Sequence, residues 1–146
     1  MIERSVRTVL FRLNKTRHQM EPHNRLTNLQ FELQFQHGIL HQSVFTHEAH
    51  LRLAYIHIAK YGLLKAIEHA VDQISKYVTA IGQPEKYDRV VTIAAVKTVH
   101  LFMGKSISDN FYDFILEFPE LKHNFKELTG FYHAITTIFP SHSLVF

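Results

Sequence analysis

Apolar residues recur at helical spacing along most of this chain, and over about residues 46–60 they occupy nearly every side of the predicted helix. Leu26, Leu29, Leu33, Phe35 and Ile39 fall three or four positions apart and predict a first core helix. Gly38 stands where a left-handed residue commonly ends such a helix. Thr46 is a good N-cap for a second helix, with Phe45 and His50 at the two positions a hydrophobic staple uses, although histidine is a poor apolar partner. From Leu51 to Ala59 only Arg52 and His57 interrupt the apolar run. This helix therefore belongs at the centre of a bundle.

Tyr61-Gly62 closes the central helix, and a third is predicted over Leu63 to Ala80, with its stripe at Leu64, Ile67, Val71, Ile74 and Val78 and its end before Gly82 and Pro84. The short turn between the two predicts an antiparallel hairpin. A fourth helix is expected from about Glu85 to Met103, burying Val90, Ile93, Ala94, Val96, Val99 and Leu101 and capped by Gly104. The β-branched run at 90–93 suits a strand on propensity alone, but length and spacing favour helix. Ser108-Asp109-Asn110 starts a fifth segment through Glu117, and Phe118-Pro119 bends into a last helix from Glu120 to about Tyr132. The expected fold is all-α, a single-domain bundle of about five to six helices around the central one.

With 146 residues, 46% hydrophobic and 20% charged, the chain has the composition of one globular core. It divides into a basic N-terminal extension at 1–25, a helical domain at 26–133 and an apolar C-terminal tail at 134–146. The extension carries six Lys/Arg against two Glu, the remainder ten against eleven acidic residues. A basic tail on a near-neutral body is not the dense basic face that nucleic acid requires. The extension reads as a loosely attached segment, as a membrane-surface or anionic-partner helix, or as an Arg-rich presequence. No apolar stretch reaches the roughly 18 to 20 residues that cross a bilayer, so no transmembrane segment is expected. The absence of cysteine fits a cytoplasmic protein.

Twelve histidines invite a metal reading, but His18, His23, His37, His41, His123 and His142 sit at helix ends and surface-like positions where a solvated imidazole is expected. His47, His50 and His57 share one face of the second helix. Two imidazoles one turn apart can share a divalent metal with a carboxylate from another helix, and Asp88, with Thr92 one turn on, is the candidate across from them. The string His47-Glu48-Ala49-His50 is not the HExxH of zinc peptidases, whose ligands are four apart. The serines lie outside any nucleophile elbow, and five glycines leave no phosphate-binding loop, so an enzymatic role has no motif behind it. Aromatic residues cluster in the C-terminal third, from Phe102 through Phe111, Tyr112, Phe114, Phe118 and Phe125 to Phe131 and Tyr132, as core or as a partner surface.

Residues 31–133 resemble a family of small, uncharacterised, helical bacterial proteins. Its members share Trp-Thr-His-x-x-His-Leu before an apolar helix and a later Tyr-His-Glu-Thr-x-Thr. Here the first motif reads Phe45-Thr46-His47-Glu48-Ala49-His50-Leu51, and the second Tyr87-Asp88-Arg89-Val90-Val91-Thr92, with Asp88 and Arg89 in place of the family's His and Glu. The resemblance implies a helical fold and a pocket between the second and fourth helices. The expected function is a binding module in which His47, His50, Asp88 and Thr92 line a polar pocket for a small ligand or a divalent metal. The competing expectation is an interaction or structural protein, homo-oligomeric, that works through its C-terminal aromatic surface.

Overall fold

Thr27 starts the first core helix through a reciprocal capping box: its hydroxyl accepts from Gln30 N and the Gln30 side chain accepts from Thr27 N. The computed structural model describes residues 6–10 and 20–129, and in it α1 spans Asn28–Gln36. Of the predicted stripe Phe35 is buried, together with Phe31, whereas Leu29 is 60% and Leu33 43% exposed. Both sets share helical spacing, and the aromatic set buries the larger area. Gly38 takes φ 70 after the helix, as expected, while Ile39 remains exposed.

The central helix α2, His47–Tyr61, is capped by Thr46, whose side chain accepts from Ala49 N. Phe45 and His50 form the staple after all, their rings stacked with centroids 3.6 Å apart. Burial covers almost every residue from Glu48 to Ile58, Tyr55 excepted. Gly62, at φ 82, then reverses the chain in one residue, a conformation a side chain would strain. The helix α3, Leu63–Ala80, runs back along α2.

Of the predicted α3 stripe Ile74 and Val78 are buried, Ile67 packs on the core and Leu64 drops out. Ala66, Ala70, Ile74, Tyr77 and Val78 are buried, whereas Leu64 is 82% exposed and Ile67 and Val71 are half-buried. In the first half of α3 the small residues Ala66 and Ala70 are buried, and the larger Ile67 packs on the core while staying part-covered.

The fourth helix begins later than predicted, because Pro84–Lys86 forms a separate 3-10 turn and Asp88 supplies the cap. It is α4, Arg89–Lys105; Val91, Thr92, Ala95, Val96, Val99 and Phe102 face inward, Val90 and Leu101 are exposed, and the helix runs through Gly104 to Lys105. Asn110 caps α5, Phe111–Glu117, as expected. The predicted last helix breaks into α6, Glu120–His123, and α7, Phe125–Thr129, and residues beyond 129 lie outside those described. Phe102, Phe111, Phe114, Phe118 and Phe125 are all buried and Tyr112 half-buried, so the described C-terminal aromatics make core. All regular structure among the described residues is helical, and no described helix is long and apolar enough to cross a membrane.

Among the described residues, the basic N-terminal segment reaches the body through Arg7 and through the turn at Pro22–Arg25. Arg7 pairs with the buried Glu117 carboxylate, which also accepts from Ser106 Oγ, Ile107 N and Ser108 Oγ. His23, in the 3-10 turn Pro22–Arg25, is wholly buried.

Candidate functional site

The four predicted site residues fall into two pairs. His47 Nε2 donates to the Leu121 carbonyl at 3.0 Å and its ring meets Phe125 edge-on. His50 Nδ1 donates to the Thr46 carbonyl at 2.7 Å, and the two histidines lie close enough for charge on one to oppose charge on the other. At the start of α4, the Asp88 carboxylate accepts from Val91 N at 2.9 Å and the Thr92 hydroxyl donates to the Asp88 carbonyl at 2.8 Å. Both side chains are turned onto the first turn of α4. Asp88→Ala should therefore behave as loss of an N-cap, lowering stability by about 1 kcal/mol in urea unfolding.

Among the described residues, three atoms of metal-ligand type converge elsewhere, at Glu21, His23 and Glu48, all within 4.8 Å of one another. A cation already sits there. The Lys122 ammonium is 2.6 Å from Glu21 Oε2 and 3.4 Å from Glu48 Oε1, and Thr46 Oγ1 donates to Glu21 Oε1. Arg52 closes the other side, donating to the carbonyls of His23 (2.6 Å) and Leu26 (2.8 Å) and to Asn28 Oδ1 (3.0 Å), with its guanidinium 4.9 Å over the Phe31 ring. A guanidinium only donates, so His23 Nδ1, 3.3 Å from Arg52, is an acceptor, and the His23 Nε2–H donates to Glu48 at 2.6 Å. The nitrogen that would bind a metal thus carries a hydrogen, and two basic side chains balance the two carboxylates. This is an internal ion network that ties the N-terminal turn and α6 to α2.

A cleft of about 760 Å³ opens between α3 and the start of α4. Its walls are Leu64, Ile67 and Val71 of α3 and the Tyr87 ring; His69, Glu68, Asp72, Ser75 and Arg89 supply its polar groups. His69 is held from behind by His57 of α2, Nδ1 to Nδ1 at 3.0 Å. Burial pushes His57 down to about 4, with the nearby Glu32 carboxylate opposing that shift and His69 and Lys60 adding to it. Burial likewise pushes the Tyr87 hydroxyl above its ordinary value. A second cleft, about 460 Å³, is lined by Glu32 and Lys60, but Glu32 already accepts from both Lys60 and Tyr61.

His23 is the main site residue that the sequence misassigns, as a solvated histidine. Its partners Glu48 and Arg52 lie 25 and 29 positions away, and no local spacing announces them. The cleft has no signal of its own in the sequence, where Leu64, Ile67 and Val71 read as part of one buried stripe. No protein-family model, curated protein or solved structure shows a significant match to this chain, so the site rests on its own geometry.

Proposed function

We propose that this chain is a small helical binding module that takes a small molecule in the cleft between α3 and α4. One observation carries the reading: on α3 the exposed Leu64, with the half-buried Ile67 and Val71, lines a cleft of about 760 Å³. Ligand sites typically enclose about 300–1,000 Å³, mostly apolar with a few placed polar groups. The geometry favours this cleft over a pocket among His47, His50 and Asp88, because the Asp88 carboxylate already caps its own helix. The lack of cysteine suits work in the cytoplasm.

The test is a fragment screen of uniformly ¹⁵N- and ¹³C-labelled protein by NMR, using small amphipathic acids, alcohols and amines. Hits are expected to shift Leu64, Ile67, Val71 and Tyr87, and Leu64→Asp, at an exposed position, should abolish those shifts without unfolding the protein. A screen with no hits, or hits that move only residues outside the cleft, would overturn the proposal.

A further inference from the structure

We infer that this cleft selects a ligand with an oxyanion head, bound by the Arg89 guanidinium and the Nε2–H of His69, with buried His57 as the positioning residue that fixes His69 as a donor. The inference rests on the cleft reading above and adds the chemistry of the ligand.

The α2–α3 hairpin sets His57 against His69 with their Nδ1 atoms 3.0 Å apart. Two imidazole nitrogens facing at that distance share one hydrogen, since two N–H groups would collide and two lone pairs would repel. Which ring owns it follows from burial. His57 is 3% exposed, and its Nε2 is buried without a partner among the described residues. A buried N–H lacking an acceptor costs more than a bare lone pair, so His57 carries its hydrogen on Nδ1 and donates it to His69. His69 Nδ1 is thereby occupied as an acceptor, and its own hydrogen stands on Nε2, at the ring edge turned away from His57. His69 is half-buried and lines the cleft.

Arg89 provides the charge. It is exposed, lines the same cleft, and has no ion pair or hydrogen bond among the described residues. The two carboxylates on the cleft wall are matched on their own helix, Glu68 with Lys65 at 3.2 Å and Asp72 with Lys76 at 2.9 Å. Arg89 is then the unmatched charge of the lining, and its planar fork suits carboxylate or phosphate oxygens. Two donors sharing one cleft lining with the apolar Leu64, Ile67 and Val71 suit an amphipathic molecule with an anionic head.

Titration of the whole protein with octanoate, octyl phosphate, 1-octanol, octylamine and inorganic phosphate tests this, with binding read at cleft residues by NMR. One of the two anionic amphiphiles should bind at least tenfold tighter than 1-octanol, with octylamine weakest, and whichever is tighter identifies a carboxylate or a phosphate head. Arg89→Met should bring that anion to the level of 1-octanol while leaving 1-octanol unchanged. His69→Gln, which keeps a donor, should retain more of the preference than His69→Leu. Long-range ¹H–¹⁵N imidazole spectra of the unaltered protein should show hydrogen on Nε2 of His69 and Nδ1 of His57, and His57→Leu should mix the His69 tautomers and lower anion affinity several-fold. Equal affinities for octanoate, octyl phosphate and 1-octanol at the cleft would overturn the inference and leave the cleft reading standing. Failure of every amphiphile to shift the cleft would overturn both. Hydrogen on Nδ1 of His69 would remove the role of His57, and inorganic phosphate binding as tightly as octyl phosphate would remove the apolar body.

Discussion

Glu48→Ala is expected to destabilise the fold by about 3–5 kcal/mol, the cost of leaving the partners of a buried ion pair uncompensated. Glu48 is 1% exposed, accepts from the wholly buried His23 and faces the Lys122 ammonium. Burial pushes the Arg52 guanidinium down from its usual value and the Glu48 charge holds it up, so loss of Glu48 also leaves Arg52 in an unfavourable place. Glu48→Gln keeps an acceptor for His23 Nε2–H and removes only the charge, and should fall between alanine and the unaltered protein. Glu68→Ala, which breaks an exposed pair with Lys65, should cost less than about 1 kcal/mol. Urea unfolding at pH 7.5 separates the three. An alanine variant within about 1 kcal/mol of the unaltered protein would sink the ion-network account. So would an unfolding midpoint that rises with added zinc and falls on chelation, since a cluster already filled by Lys122 has no place for the ion.

The parts of this fold that could be read from the sequence are those set by neighbours in the chain. Thr46, Gly62 and Asn110 mark helix ends through caps and turns that involve only a few residues, and each stands where the pattern puts it. What the pattern left open is which of two apolar stripes wins. On α1 the choice of Phe31 and Phe35 over Leu29 and Leu33 follows from Phe45 and Tyr77, which pack on Phe35 with ring centroids 4.6 and 4.9 Å away. Those contacts come from α3 and from the loop before α2, beyond the reach of any local period. On α4 a capping aspartate five positions after Pro84's predecessor Gln83 displaced the start, because the 3-10 turn uses the proline and leaves Asp88 to satisfy Val91 N. The candidate site shows the same division. His47 and His50 share a helix face as their spacing requires, yet the His23–Glu48 and His57–His69 pairs arise from tertiary packing.

Acidification toward pH 5 should weaken this fold through two buried histidines. Burial pushes His50 down to about 3; the hydrogen bond to the Thr46 carbonyl opposes that shift and the neighbouring His47 adds to it. The free imidazole titrates at 6.5. Between those values the unfolded chain binds a proton that the native chain refuses, so stability is complete above about pH 6.5 and falls steadily as pH drops toward about 3. At pH 5 the loss from His50 is about 2 kcal/mol, at about 1.4 kcal/mol per pH unit. His57, lowered to about 4, acts in the same direction and adds about 2 kcal/mol at pH 5. Together they remove a large share of the about 5–15 kcal/mol that stabilises a domain of this size. Urea midpoints measured between pH 7.5 and 5 should be flat at the top of the range and then decline. His50→Leu, which keeps an apolar group against Phe45, should remove about half of the decline whatever it does to stability at pH 7.5. Equal midpoints at pH 7.5 and pH 5 in the unaltered protein would show that neither histidine is held neutral by burial, and an undiminished slope in His50→Leu would exclude His50 as a source.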